Sequence, residues 1–594
     1  MELLIDSTAP APDTIRLLSQ TARKRPVADV VVEYLVAAGV RKVFGIPGGA
    51  TIPFHMSLEK HDEIDFVLTR HEGGAAFMAD CYARVSDGLG VCCATTGPGA
   101  TNLMTGVGAA YMDSVPVLVI TGMNPIDSWG RGDFQECTPY AGVNTTDMFR
   151  SLCKSSEVVV SEKVIQYRLR SAIATALSGR PGPVHLAIPR DLWGRRIAAE
   201  PFALEKHLAS PPAPAPNQLN AIARLLLGAV HPLIICGSGT SRRAMAHLFE
   251  ISDRFSIPII TTPRGKGRGA PVLPKSYLGN TGISATPCVD ELINSTTFDV
   301  VLTVGMGFGS YATNSWDPRI VPTRAMIQVN IDPNALGRVF PADIAIVADS
   351  TQFAQMLHEL MKSKAPDALS RSRTGWMAHW TRREKWTFPP RVHHRIGDSI
   401  HPVEIIRAVD HAVGEQGLIL ADSNSILLWA THYLPERAGR RFIGAWGSAS
   451  MGHMTAGAVG AKLAAPSADV VVLVGDGCFL MNGTEVATAV DLGLPIVWVI
   501  NVNAQLGMIH YELRASGLVG STTLGSYDFA GFARSLGANG VRCDNLDNLA
   551  VLIAAGLRDR QPTVIQVDVD PLVTPPMGMK KEGSAQWKAY VERI

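Results

Sequence analysis

The stretch VVVLVGDGCFLMNGTEVATAVDLGLPIVWVINVNAQLGM, residues 470–508, is the one on which the reading of the fold turns. It opens with an apolar, β-branched run, Val470 to Val474, that never alternates with polar residues and so reads as a strand buried on both faces. Gly475-Asp476-Gly477 breaks the run. A helical pattern follows from about Asn482 to Leu492, and a second buried strand, Ile496 to Ile500, ends at Asn501-Val502-Asn503. The pattern predicts one βαβ unit, with a carboxylate at the tip of its first strand and an amide at the tip of its second. Ligands of parallel sheets bind just beyond such tips. Glycines on both sides of Asp476 let a backbone come close to a phosphate, and the N–H groups opening the next helix point at an anion. Asp476, the Asn503 side chain and a backbone carbonyl near Gln505 offer the hard oxygens that magnesium takes together with diphosphate. A lone GDG is more often a plain turn. Here Asn503 follows 27 residues after Asp476, room for one helix and a return strand, which places both groups at one sheet edge.

Working outward, the same alternation of strand and helix fills most of the chain. From Ala28, ADVVVEYLVAAGVRKVFGIPGG gives a one-sided helix closed by Gly39, then a strand and a glycine-rich turn. Strands at 65–68, 90–95, 117–121 and 184–188 with helices at 72–84 and 102–114 complete a doubly wound unit. A proline-rich segment, 208–216, reads as an extended linker. A second α/β region follows, in which the Gly237-Ser238-Gly239 turn after a strand has the look of a nucleotide fingerprint, a weak signal by itself. The expected fold class is α/β with three doubly wound parallel-sheet domains. The expected division is an extension at 1–24, a first domain at 25–200, a linker at 201–217, a central domain at 218–363, a second linker at 364–400 and a third domain at 401–594. The first and third domains share a strand and helix rhythm, as an old duplication would leave.

Composition narrows the function. The 594 residues are 46% hydrophobic and 18% charged with a net charge of +1, which leaves no basic footprint for nucleic acid or acidic lipid. No apolar run approaches a membrane span, and the N-terminus carries acidic residues without the apolar core of a signal peptide. Nine cysteines form no CxxC pair and no Cys/His metal spacing, so reduced, buried thiols in a cytoplasmic protein are expected.

The stretch 470–508 resembles the diphosphate-binding signature of thiamine-diphosphate enzymes, GDG followed by about the same interval and a paired Asn. The first Asn of that pair is Val502 here, while the metal-binding position matches Asn503. The resemblance implies thiamine diphosphate and Mg2+ as cofactors, the diphosphate on Gly475, Asp476, Gly477 and Cys478, and the metal on Asp476, Asn503 and Gln505. The segment TRHEGGAAFMADCYAR, Thr69 to Arg84, matches the one in which the family keeps its catalytic glutamate, so Glu72 is expected to bond the cofactor pyrimidine and promote the tautomer of its amine that deprotonates the thiazolium. A plain first-turn glutamate is the alternative. Pro98 and Asn102, in Thr95-Thr-Gly-Pro-Gly-Ala-Thr-Asn102, are expected on the pyrimidine side; Met451 matches the apolar wedge that bends the cofactor, and Ala449 the residue whose carbonyl receives its amine.

Within the family the chain looks most like the acetolactate synthase branch over about residues 25 to 575. Arg131-Gly-Asp-Phe134-Gln135-Glu136 resembles the loop that sets a Phe and a Gln beside the substrate, and Lys154 falls where the branch has an active-site lysine. Three departures stand out. Gly307 replaces an arginine that helps hold a flavin and the second keto acid, Glu512 replaces a pocket tryptophan, and Asp422-Ser-Asn-Ser-Ile426 lacks a Gln-His pair that meets the diphosphate. Asp332 in IQVNIDP resembles the strand that holds a flavin ribose, so FAD in the central domain is an open expectation. The resemblance implies a carboligase that decarboxylates pyruvate or a similar 2-keto acid and passes the acyl carbanion to an acceptor. A non-oxidative decarboxylase, a flavin-linked oxidase and a non-catalytic homologue are the alternatives. Because the pyrimidine and diphosphate motifs lie in different domains, it also implies a homodimer or homotetramer with the cofactor at the subunit interface.

Overall fold

The computed structural model describes residues 24–364, 371–390, 399–517 and 520–577, so nearly all of the expected N-terminal extension lies outside the described residues. The stretch 470–508 folds as a parallel βαβ unit: strand Val470–Gly475 pairs in register with strand Ile496–Val502, from Val470 opposite Ile496 to Gly475 opposite Asn501. The intervening helix differs from its sequence pattern. It begins at Asp476 itself, runs to Asn482, tightens into a 3-10 turn at Gly483–Glu485 and resumes over Val486–Asp491. At the break the Phe479 ring lies against the bare Gly483 backbone, where a Cβ would be only 2.7 Å from it.

Three six-stranded sheets carry the molecule, and every pairing within them is parallel. The third sheet runs Arg441–Gly444, Leu418–Ala421, Val470–Gly475, Ile496–Val502, Thr563–Asp568, Asn539–Cys543. The first runs Asp65–Leu68, Lys42–Gly45, Gly90–Ala94, Val117–Met123, Val184–Pro189, Ser155–Val158. Ranked by chain order both read 2-1-3-4-6-5, so the shared rhythm in the sequence is a shared winding. The central sheet is wound otherwise. Its order, Tyr277–Asn280, Ile259–Thr261, Pro232–Cys236, Val300–Val304, Ala325–Asn330, Ile344–Val347, is the 3-2-1-4-5-6 of dinucleotide-binding folds. A short antiparallel pair, Lys24–Pro26 with Arg196–Ala198, was not evident in the sequence.

The chain divides into two compact units, residues 1–209 with the first sheet and 210–594 with the other two. The second expected linker is partly structured. Helix Arg371–Thr381 packs Trp380 into the central core, and Arg373, fully buried, donates to the carbonyls of Leu226, Ala229 and Phe255 at 2.7, 3.3 and 2.5 Å. That guanidinium takes up carbonyls at the ends of helices Pro216–Leu227 and Arg242–Arg254, where helices leave acceptors unsatisfied.

Candidate functional site

In sheets of this winding the switch point lies between the first and third strands in chain order. In the third sheet those strands end at Ala421 and Gly475, and Asp422 and Asp476 come next. Asp476 is buried. One carboxylate oxygen accepts the Gly477 N–H at 2.8 Å; the other accepts those of Asn503 at 3.1 Å and Ala504 at 2.7 Å. Burial pushes its pKa up and these three donors pull against it. The Asn503 side-chain oxygen accepts the Gln505 N–H at 3.3 Å. Residues 504–506 form a ribbon with 522–524, through Leu506 N–H to Thr522 and Leu524 N–H to Ala504, and the alternation of an antiparallel pair turns the Gln505 carbonyl away from that ribbon. A Cβ at Gly477 would press on the ends of the Leu506 and Met451 side chains at 2.9 and 3.1 Å, and one at Gly475 on the Asn424 amide at 3.0 Å. Asp476, Asn503, Gln505, Met451 and the flanking glycines thus converge on one sheet edge. Cys478 is buried beside them with its sulfur 3.2 Å from the Ser423 carbonyl, and burial raises its pKa strongly.

The wedge loop is held by a residue that the sequence reading passed over. Asp422 is fully buried: one oxygen accepts the N–H groups of Ser423 at 2.7 Å and Gly452 at 3.0 Å, and the other accepts the Thr455 N–H at 2.9 Å and its hydroxyl at 2.7 Å. Asp422 therefore fastens Gly452, the residue after Met451, and the start of helix His453–Ala464 to the sheet. The usable signal was a carboxylate directly after a buried strand, the same pattern that marked Asp476. Ala449 has φ 50°, a left-handed conformation that a residue with a side chain keeps only where its surroundings impose it. Ala504 and Gln135 share it, at φ 53° and 52°.

At the corresponding edge of the first sheet, helix Glu72–Ser86 starts on Glu72, and the turn 95–102 follows strand Gly90–Ala94. One Glu72 oxygen accepts from the Asn102 amide at 3.0 Å, and the other lies 3.3 Å from where a Gly99 Cβ would be. Glu72, Asn102 and the Pro98 turn are thus brought together, with Glu72 half-buried. Gln135 joins them: its backbone carbonyl accepts the Thr96 hydroxyl at 3.3 Å, and its side chain flanks Gly97. Phe134 is 82% exposed in the single chain. Glu136 shapes this loop by accepting N–H groups of Gly130, Gly132 and Asp133 and the Thr138 hydroxyl, bonds that hold its carboxyl below the usual range.

Lys154 is not brought to this edge. It precedes edge strand Ser155–Val158, at the end of the sheet opposite the strand tips, and its ammonium donates to the carbonyls of Thr175 and Ser178 where helix Ile165–Leu177 ends. A lysine on the last carbonyls of a helix is a cap. A cleft of about 600 Å³ opens between helix Thr145–Arg150 and this edge strand, and none of the expected site residues lines it.

The central domain answers two expectations. Gly237 and Gly239 donate their N–H groups to the carbonyls of Val304 and Gly305 at 2.8 and 3.0 Å, and a Cβ on Gly237 would sit 2.2 Å from the Gly305 oxygen. The turn is spent on strand-to-strand packing, so its donors do not fit a ligand's diphosphate. At Gly307 the Arg338 guanidinium donates to the backbone carbonyl at 3.2 Å. The loop that follows is strained: Asn314, Ser315 and Trp316 are successive left-handed residues, at φ 49°, 60° and 60°, pinned by the Trp316 indole on the Phe308 carbonyl at 3.1 Å. Asp332 accepts the Asn334 N–H at 2.9 Å, closing its own turn. Glu512 is exposed on helix Gly507–Ala515.

The sequence matches the thiamine pyrophosphate enzyme N-terminal TPP binding domain over residues 25–142, the central domain of that family over 219–357 and its C-terminal TPP binding domain over 422–567. It is 30% identical to a probable acetolactate synthase large subunit of Methanocaldococcus jannaschii over 574 residues, 93% of each chain. The chain belongs to the thiamine pyrophosphate enzymes. Within them it is of the acetolactate synthase-like branch. A putative acetolactate synthase large subunit of Mycobacterium tuberculosis is 30% identical, covering 93% of this chain and 99% of that one, and the isozyme 3 large subunit of Escherichia coli is 29% identical, covering 91% and 94%. Each match falls on one sheet: the central one spans all six of its strands, the N-terminal one stops before strands Ser155–Val158 and Val184–Pro189, and the C-terminal one begins after strand Leu418–Ala421. No helix among the described residues is long and apolar enough to cross a membrane.

Proposed function

We propose that this thiamine pyrophosphate enzyme is a carboligase that decarboxylates pyruvate or a similar 2-keto acid and transfers the acyl unit to an acceptor, acetolactate formation being the simplest case. The observation that carries the reading is the buried Asp476 carboxylate, held by three backbone N–H groups at the switch point of the third sheet with Asn503 beside it. Thiamine diphosphate bound there would supply a carbon nucleophile for the keto group and an acceptor for the charge left by decarboxylation. Asp476, the Asn503 amide oxygen and the Gln505 carbonyl would hold Mg2+ against the diphosphate, a hard-oxygen set that fits this ion. The bare backbone at Gly475 and Gly477 suits close approach of phosphate oxygens, and the start of a helix at Asp476 favours their charge. Glu72, aimed by Asn102, would hold the proton at the cofactor's pyrimidine, Met451 would brace the cofactor, and the Ala449 carbonyl would accept from its amine. Phe134 and Gln135 would meet the substrate. Lys154, as a helix cap, is the weakest of the expected catalytic residues.

Cofactor halves on separate domains support a homodimer or homotetramer sharing sites between subunits. Mixing an inactive Glu72→Ala chain with an inactive Asp476→Ala chain should then restore part of the activity, and failure of the mixed oligomer to recover any would refute shared sites. Nine buried, unbridged cysteines support a cytoplasmic setting. The Gly237 turn does not fit a flavin diphosphate, so no flavin step is included; a colourless purified protein is expected. The glycine at 307 favours one competing reading, a non-oxidative decarboxylase, since no side chain there grips a second carboxylate. Incubation with thiamine diphosphate, Mg2+ and pyruvate separates the two: acetolactate supports the carboligase, and acetaldehyde with carbon dioxide the decarboxylase.

A further inference from the structure

We propose that Asn424 donates to the cofactor's diphosphate from the opposite wall of the switch-point crevice in the third sheet. The inference rests on the reading of Gly475 to Cys478 as the diphosphate site. Strands Leu418–Ala421 and Val470–Gly475 lie side by side in parallel register, with Ala421 opposite Leu473, so the loops that leave them are the two walls of one crevice. Asn424 is the N-cap of helix Ser425–Tyr433, its side-chain oxygen accepting the Ile426 N–H at 2.8 Å. That bond ties the oxygen end of the amide to the helix and turns the nitrogen end to the other wall. There the nitrogen lies 3.0 Å from where a Cβ of Gly475 would be and 3.6 Å from the Cys478 sulfur, so it touches two of the four residues assigned to the diphosphate. Cys478 donates its own proton to the Ser423 carbonyl at 3.2 Å, which makes its sulfur the acceptor in the contact with Asn424. Sulfur is a weak acceptor. A phosphate oxygen is a strong one, and replaces it with gain. Asn424 thus presents N–H groups that a helix cap holds in place and that no strong acceptor claims among the described residues. Being neutral, it adds donors without a positive charge that would compete with Mg2+ for the same oxygens. The segment Asp422-Ser-Asn-Ser-Ile426, which lacks the Gln-His pair of the resembling enzymes, thereby supplies a donor of its own.

The test is calorimetric titration of thiamine diphosphate, at saturating Mg2+, into cofactor-free protein, set beside the thermal midpoint of the same cofactor-free protein. Asn424→Asp keeps the capping oxygen, since Asp caps a helix as well as Asn does, and puts a negative charge where the donor was. Asn424→Gly removes the donor without adding charge, and glycine at an N-cap costs little. Asn424→Gly should weaken thiamine diphosphate about tenfold, the lower end of the worth of a hydrogen bond to a charged group. Asn424→Asp should weaken it further, while its midpoint stays with that of the wild type and the midpoint of the Gly variant falls slightly. Affinity and stability then rank the two variants in opposite orders, which a residue serving only as a helix cap would not produce. Wild-type affinity in either variant, or tighter binding by the Asp variant than by the Gly variant, would overturn the role of Asn424 while leaving the diphosphate site standing. A wild-type protein that takes up no thiamine diphosphate would overturn both.

Discussion

At the scale of single residues, the first candidate for chemistry is Glu72. Its carboxylate is held by one side-chain amide at 3.0 Å and pressed close to a glycine backbone, an arrangement with no structural task beyond aiming it. Glu72→Gln preserves size and the hydrogen bond but cannot move a proton. We expect it to lower kcat about 10²–10⁴-fold, the usual worth of a positioned acid–base group, with thiamine diphosphate affinity within a few-fold of wild type. Activity indistinguishable from wild type would return Glu72 to the role of an ordinary helix-first-turn acid. Asp476 and Asn503 were legible because spacing alone places them at one edge. Lys154 is a different case, its ammonium on helix-end carbonyls, a placement that its position along the sequence does not reveal.

Elements show where legibility ends. Buried strands declare themselves through unbroken apolar runs, and the βαβ unit at 470–508 was readable to within two residues at the strand ends. The fate of the Gly237 turn was not, because whether a glycine N–H faces a ligand or a neighbouring strand depends on how closely that strand approaches. Helix Arg371–Thr381 was hidden by its composition, since its burial rests on two tryptophans and a guanidinium instead of an aliphatic stripe. Arg373 supports two other helices at once. Arg373→Ala should therefore cost about 2–4 kcal/mol, the penalty of leaving several buried carbonyls without donors, measured as a lower urea midpoint. Arg373→Lys should recover only part of it, since one ammonium cannot span carbonyls spread across a planar fork. A change under about 0.5 kcal/mol, that of an ordinary surface site, would show that water replaces the guanidinium.

For the molecule as a whole, buried neutral histidines set the response to acid. His185 accepts or donates at both ring nitrogens, to Ser156 and Thr121 at 2.8 Å each, and the Ser156 hydroxyl also donates to the Thr146 carbonyl at 2.6 Å. The Ser156 proton being spent, the ring donates to Ser156 through Nδ1; burial keeps it neutral, so its other nitrogen accepts the Thr121 hydroxyl. Burial lowers the His185 pKa to about 3, and those of His55 and His432 to about 4. Each folded value lies below the unfolded one, near 6.5. Their contribution is complete above pH 6.5 and is lost as pH falls toward 4, because the unfolded chain takes up protons that the folded chain refuses. The slope is about 1.4 kcal/mol per pH unit for each histidine at most. In urea titrations between pH 6 and 4.5, His185→Gln should lose stability less steeply than wild type by about one proton, and parallel slopes would exclude this origin. The reading of net charge and composition could not anticipate it, since it depends on which of the sixteen histidines end up buried.

The three successive left-handed residues at 314–316 also bear on how the protein could be adapted. Each residue with a side chain in that conformation costs about 1–2 kcal/mol relative to the right-handed form, and glycine escapes the cost. Ser315 is exposed and its side chain makes no hydrogen bond among the described residues, so Ser315→Gly should raise the thermal midpoint by a few degrees, readable by scanning calorimetry. In directed evolution toward new acceptors, where gains in rate are commonly bought with losses in stability, this loop is a reserve that can be released before the search begins.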